Sequence, residues 1–245
     1  MSPWIGNTFD NYTLKCPDGS KWRIIEKISE KSVEFHAYSN SGELYAEAQA
    51  VYLCRQAKGS HVGMEAIVKV RMQVPSKHSS KPYAQGLAYP TATEISTLQY
   101  FTENGCSVVP RLFHCLVYSQ DPNMPIPGGY MAILIMEKCP GVVLSDFWNF
   151  EESKKKKIRK AFLRDFSEFQ SYPIDAADPA LRNIIYDEVE NKCWFIDHEQ
   201  TFIFEEREIE PYKADRRDLE EWDLEKYKRI DFQTSMNGTA EATWD

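Results

Sequence analysis

The alternation of apolar and polar positions divides this chain into a strand-rich first half and a second half with helical periodicity. Residues 22–28, 33–38, 44–54 and 66–70 place β-branched, aromatic and other apolar side chains at alternate positions or in short runs, separated by Ser, Gly and Lys turns. That is the pattern of strands in an antiparallel sheet. From Tyr89-Pro90-Thr91 the period lengthens: Ile95, Leu98 and Phe101 fall at helical spacing, with Thr91 or Thr93 as N-cap and Glu94 in the first turns. Residues 130–136 form an apolar run that ends in Glu137-Lys138-Cys139-Pro140-Gly141, which reads as a buried strand closed by a turn. Residues 153–172 should form one amphipathic helix, with Ile158, Phe162, Phe166 and Phe169 as its apolar stripe and the lysines before it on a solvated face. Two short apolar strands follow around a turn at residues 187–191, then a charged helix over 215–227 and a tail from 237.

Composition narrows the class. At 245 residues and 42% hydrophobic, the chain can bury a substantial core and fits one two-lobed domain or two small ones. A net charge of -8 argues against a nucleic-acid binder, whose backbone affinity comes from clustered Lys and Arg. The N-terminus lacks a charged region followed by an apolar core, and residues 130–136 are too few to span a bilayer, so no membrane association is expected and the default location is the cytoplasm. Cys16, Cys54, Cys106, Cys115, Cys139 and Cys193 have no Cys-x-x-Cys pairing and no His at metal-ligand spacing. They read as reduced, buried small hydrophobes.

One constellation carries chemistry. Asp178-Pro179-Ala180-Leu181-Arg182-Asn183 places an Asn five residues after an Asp, and Cys193-Trp194-Phe195-Ile196-Asp197 ends an apolar strand in a carboxylate. Taken singly, Asp178 before a proline is a turn initiator and Asp197 a strand-end cap. Together they resemble the catalytic and metal-binding loops of the protein-kinase-like superfamily, most like its aminoglycoside-phosphotransferase-like branch in forms common among fungal proteins. The resemblance implies that Asp178 accepts or orients a substrate hydroxyl, that Asn183 and Asp197 hold Mg2+, and that Arg182 grips substrate or a loop carboxylate.

The remaining parts follow in order. Lys69 lies in Ala66-Ile67-Val68-Lys69-Val70, similar to the strand whose lysine contacts the α- and β-phosphates of ATP; a strand lysine that snorkels is the plainer alternative. In the family a helix glutamate pairs with that lysine, which points to Glu94; a helix-start Glu favoured by the macrodipole alone is the other reading. Ser107-Val-Val-Pro-Arg-Leu-Phe113 resembles the segment leading into the fourth strand, and Glu137, Lys138 and Cys139 resemble the hinge whose main chain meets the adenine edge. The 41 residues from Glu137 to Asp178 fit that layout. There are departures. Ser29, Lys31 and Glu34 fall where three glycines would let a loop approach phosphate. Ala176 stands where a His braces the catalytic loop, and His198-Glu199 follows the metal-binding Asp, with His198 read as packing and Glu199 as an extra carboxylate near metal or substrate. Only 48 residues follow Asp197, which implies a shortened lower lobe or one completed by a protein partner.

The expectation is therefore an α/β (α+β) protein-kinase-like fold of two lobes. An N-terminal segment spans 1–19, a strand-rich lobe 20–136, the hinge and shortened helical lobe 137–235, and a tail 236–245. The expected function is transfer of the γ-phosphate of Mg-ATP to a small-molecule hydroxyl. A pseudokinase that binds nucleotide or a partner without catalysis is the alternative. In a third reading, an interaction domain unrelated to kinases, Lys69, Asp178, Asn183 and Asp197 would not converge.

Overall fold

The computed structural model describes residues 3–36, 44–76, 86–204 and 206–226. The first lobe contains β1 (Thr13–Lys15), β2 (Lys21–His36), β3 (Leu44–Lys58), β4 (Glu65–Val74), α1 (Tyr89–Glu103), β5 (Leu112–Ser119) and β6 (Tyr130–Glu137). These strands make one antiparallel sheet in the order β1-β2-β3-β4-β6-β5. Strict alternation gives the sheet two unlike faces. On the outer face Ala46, Ala48, Ala50, Tyr52 and Cys54 of β3 meet Ala66, Val68, Val70 and Met72 of β4 in a core closed by Ile5, Phe9 and Leu14. The N-terminal segment is thus part of this lobe. Its entry is fixed by Glu30, which accepts the N–H groups of Ile5 at 2.8 Å and Gly6 at 3.2 Å. The sheet curls until its ends approach: Trp22 of β2 stacks on Phe113 of β5 with centroids 5.7 Å apart.

On the inner face Ala132, Leu134 and Met136 of β6 pack with Ile95, Leu98 and Phe101 of α1 in a second core, which continues into the other lobe. That lobe comprises β7 (Val142–Val143), a 3-10 segment (Leu144–Asn149), α2 (Glu152–Phe169), β8 (Ile174–Ala176), a 3-10 turn (Leu181–Asn183), β9 (Ile184–Asp187), β10 (Lys192–Phe195), β11 (Thr201–Ile203) and α3 (Arg216–Glu221). Small sheets β10-β9-β7 and β11-β8 complete it. The stripe of α2 is fully buried, and Phe162, Phe166 and Phe169 surround Phe195 with centroids 4.7 to 5.8 Å apart. Asp165, on the same buried side, accepts the Cys193 N–H at 2.7 Å and so ties α2 to β10.

The α+β, two-lobed layout expected from the sequence is present: an antiparallel sheet with one helix, then a connector, then a lobe built on α2 with the short α3, two 3-10 segments and five short strands. Two local expectations need correction. Helix α1 starts at Tyr89 with Ala88 as N-cap and Pro90 in its first turn, because proline fits a position whose N–H has no intrahelical acceptor. Thr91 and Thr93 lie inside the helix and are buried. The charged helix expected over 215–227 is the short α3, opened by an Asp215–Asp218 capping box and stopped where Asp223 takes a left-handed conformation (φ 58°) that returns Leu224 to the core. Residue 227 and the tail from 236 lie outside the described residues. Among the described residues no helix is long and apolar enough to cross a membrane, and all six cysteines are free thiols.

The connector depends on Gly141. Its φ is +110°, and a Cβ there would sit 2.1 Å from the Tyr186 carbonyl oxygen, where β7 pairs with β9. Gly141→Ala should therefore destabilise the protein by roughly 3 kcal/mol in denaturant unfolding, since both the conformation and the space are forbidden to a side chain. A loss below about 0.5 kcal/mol would show that this approach is not a constraint.

Candidate active site

The inner face of the sheet is apolar at β6 and ionic at β3 and β4. Lys69 and Arg71 alternate with the outward valines of β4, and Glu47 and Gln49 do the same on β3. Glu47 is 0% exposed, Arg71 2% and Glu94 1%. Charges so deeply buried are tolerated only when paired with opposite charge and hydrogen-bonded. Glu47 accepts from Arg71 Nη1 at 3.2 Å, Gln49 Nε2 at 2.9 Å, Tyr130 Oη at 2.8 Å and the Thr91 hydroxyl. Glu94, from α1, gives one carboxylate oxygen to Lys69 and the other to Arg71.

Lys69 also donates to Asp197 Oδ1 at 3.0 Å, which links the sheet to the floor of the second lobe. Asp197 follows β10 in a left-handed conformation, φ 66°, a strained arrangement for a residue with a side chain. Burial opposes the Lys69 ammonium, but Glu94 and then Asp197 outweigh it and hold its pKa above the usual lysine value. Burial likewise opposes both carboxylates. Arg71 and Lys69 nevertheless keep Glu94 below its ordinary value, and Lys69 holds Asp197 well below the carboxylate range. All three groups are charged.

The loop below them is organised by its own residues. Asn183 is 3% exposed and donates through Nδ2 to the Asp178 carbonyl at 2.9 Å and carboxylate at 3.2 Å. Arg182 Nη2 lies between the two Asp178 carboxylate oxygens at 2.7 and 2.8 Å. Arg182 thus makes the loop-carboxylate contact, one of the two roles expected of it, and it also lines the cleft between the lobes. Between the lobes runs a cleft of about 450 Å³, within the range of small-molecule sites. Val51, Ile67, Met136 and Ile185 make its apolar end, beside Glu137, Lys138 and Cys139; Lys69, Asn183 and Asp197 mark its ionic end. Asp178 borders an adjoining recess that shares Asn183 and Asp197 with the cleft. The Lys138 ammonium pairs with Glu65 at 2.7 Å.

The segment that aligned with a phosphate-covering loop is strand. β2 continues through Ser29, Lys31 and Glu34 to the His36–Leu44 pair, because a glycine-free run of alternating residues extends the ladder; its connection lies at residues 37–43, outside the described ones. Ser29 and Lys31 line the cleft, and Glu34 lies farther along, opposite Ala46. Glu199 is spoken for within the chain: its Oε1 is 2.7 Å from Arg71 Nη2 and 3.9 Å from Lys31 Nζ. The sequence reading missed Arg71, Glu47 and Tyr130. The polar residues Lys69, Arg71 and Gln73 at alternate positions of one strand were the available signal.

Oxygens of Glu94, Asp197 and Glu199 lie within 4.8 Å of one another, and each carboxylate is paired with Lys69 or Arg71. A second group, Cys16, Asp18 and His114, meets where the sheet's ends approach. There Ser20 Oγ bonds Asp18 Oδ1 at 2.7 Å and lies 3.2 Å from His114 Nε2.

No protein-family model and no curated protein matches this chain. Among solved structures, that of the Cydia pomonella granulovirus kinase PK-1 is similar over 74% of this chain and 52% of that one, with 18% sequence identity and a TM-score of 0.44. This chain thus spans about half the length of that kinase, and no residue role is carried over from it.

His198 is a buried packing residue. Its ring lies 5.5 Å from Phe101 and 6.0 Å from Phe169, with Nε2 3.1 Å from the Phe195 carbonyl. Burial lowers its pKa to about 4. The unfolded chain therefore takes up this proton near pH 6.5 while the folded chain resists it. Stability contributed by the neutral ring is complete above about pH 6.5 and falls by about 3 kcal/mol between there and pH 4. Burial raises the Glu199 pKa and works in the opposite direction, so the comparison of interest is between wild type and His198→Phe. Unfolding free energies measured from pH 7 to 4 should fall more steeply in the wild type; parallel curves would show that His198 titrates freely.

Proposed function

We propose that this chain is a Mg-ATP-dependent phosphotransferase acting on a hydroxyl of a small molecule. The observation that carries the reading is that Lys69, Glu94, Asn183 and Asp197, from four separate segments, converge on one cleft, with Asp178 at the adjoining recess. Chance surface charges do not produce a strand lysine held between a helix glutamate and a strand-end aspartate.

The donor set fits the metal: Asp197 supplies an anionic oxygen and Asn183 a neutral one, both bordering the same space. Mg2+, when bound, would neutralise phosphate charge and bridge phosphate oxygens. Glu94 orients the Lys69 ammonium, which binds phosphate as a point charge. The apolar end of the cleft, flanked by the connector, suits a flat base with a polar edge. Asp178, its carboxylate steadied by Arg182, holds the acceptor hydroxyl in line and takes its proton. No Ala-Pro-Glu segment occurs in the sequence after Asp197, which favours a small acceptor over a docked peptide.

Two features favour a second reading, a pseudokinase that binds nucleotide or a protein partner without catalysis. The Lys69–Asp197 and Arg71–Glu199 pairs close the ionic end on itself, and Ala176 leaves the catalytic loop without a bracing His.

The readings separate in two measurements. A ligand that binds only the folded chain raises the unfolding midpoint. ATP with Mg2+ should do so, ATP alone should do so less, and Asp197→Ala should abolish the shift. Asp178→Asn should keep the shift and lower phosphoryl transfer by at least 100-fold, the lower end of what a general base contributes. Retained transfer in Asp178→Asn would overturn the assignment, and a Mg-ATP shift with no transfer to any hydroxyl acceptor would favour the pseudokinase.

A further inference from the structure

With β2 extended through Ser29 and Lys31, the described residues of this sheet face the cleft with side chains. Cross-strand register decides which ones. Lys31 of β2 pairs with Gln49 of β3, and Gln49 pairs with Arg71 of β4, so the three stand in one row on the cleft side of the sheet. The next row, Ser29, Val51 and Lys69, lies beside it, and all six residues line the cleft. The row containing Lys31 and Arg71 therefore continues the line of cations that begins at Lys69.

Both cations of that row converge on Glu199 Oε1, Arg71 at 2.7 Å and Lys31 at 3.9 Å. A guanidinium recognises carboxylate and phosphate oxygens with the same donor geometry. We propose that Lys31 and Arg71 form a side-chain clamp for the terminal phosphates of a nucleoside triphosphate, and that Glu199 is an internal competitor for that clamp. The inference rests on the phosphotransferase reading of the cleft.

Three observations distinguish the clamp from a purely structural ion pair. Arg71 remains fixed without Glu199, because Glu47 and Glu94 hold its guanidinium from deeper in the sheet; it is organised before a ligand arrives. Arg71 Nε is buried and has no hydrogen-bond partner, donor capacity that an added anionic oxygen would use. The competitor can also leave. The Glu199 side chain is 18% exposed and that of Lys31 60%, against 0% for Glu47 and 1% for Glu94. Rotation of Glu199 toward the cleft mouth hydrates its charge, whereas displacement of either deep carboxylate would strand one.

Titration calorimetry of the full chain with ATP and with adenosine, in MgCl2, tests the clamp. Glu199→Gln keeps the size of the side chain and removes its charge. ATP affinity should rise about tenfold, the scale of one charge-assisted contact, while adenosine affinity stays unchanged. Lys31→Ala, an exposed position where misfolding is no concern, should weaken ATP several-fold and flatten its dependence on salt, because a phosphate contact is lost. If ATP binds and Asp197→Ala abolishes that binding, but Glu199→Gln and Lys31→Ala both leave it unchanged, the clamp is overturned and the phosphotransferase reading stands. If neither wild type nor Glu199→Gln binds ATP, both are overturned. If Glu199→Gln tightens ATP but no Asp178-dependent transfer is found, the clamp holds and the catalytic reading fails.

Discussion

The Glu94 carboxylate is the interaction on which the rest of the cleft depends. One oxygen takes Lys69 and the other Arg71, so a single side chain of α1 fixes two neighbouring rows of the sheet. Arg71 passes that constraint to Glu47, whose remaining capacity is filled by Thr91, Tyr130 and Gln49. The result is a buried polar layer between two apolar ones, built of ion pairs and hydrogen bonds. Such a layer contributes little net stability for its size, because desolvation cancels much of the attraction. What it contributes is position. Glu94 holds the Lys69 ammonium where it also reaches Asp197.

The floor is held by different physics. Phe195 sits among Phe162, Phe166, Phe169 and Trp222, and the next turn places Asp197 in a left-handed conformation above them. His198 locks that turn from behind by packing on Phe101 of α1. The same helix therefore touches both halves of the site: Glu94 reaches the sheet, while Phe101 reaches His198 and Phe169. The connector adds a third fixed point, since the backbone at Gly141 approaches that of Tyr186 too closely for any side chain. Electrostatics at the ceiling and aromatic packing at the floor share α1 as their common support.

Much of this was readable along the chain, for physical reasons. The helical stripe of Ile158, Phe162, Phe166 and Phe169 and the alternation in β3 and β4 are short-range patterns that burial enforces. The spacing from Asp178 to Asn183 to Asp197 is set within one loop and one hairpin. Lys69 and Glu94 came from resemblance, and the fold brings them together. What remained hidden was set by register across strands. Arg71 meets Glu47, and Lys31 meets Glu199, only once β2, β3 and β4 are paired, and no local window contains both partners. Cys16 and His114 are invisible to spacing for the same reason, since curling of the sheet brings them together. The sequence pattern showed strands at 22–28 and 33–38 with a break between them, where a glycine loop was sought; β2 instead runs through without interruption from Lys21 to His36, as its glycine-free composition favours.

The most direct test of the central claim, that the ionic inner face of the sheet is the phosphate end of a nucleotide cleft, is a crystal structure of the full chain with Mg2+ and a non-hydrolysable ATP analogue. The expected complex has the base against Ile67 and Ile185, the metal on Asp197 and Asn183, the phosphates on Lys69, Arg71 and Lys31, and Glu199 turned away from Arg71. An analogue bound elsewhere, or a cleft in which the Lys69–Asp197 and Arg71–Glu199 pairs persist at saturating ligand, would contradict it.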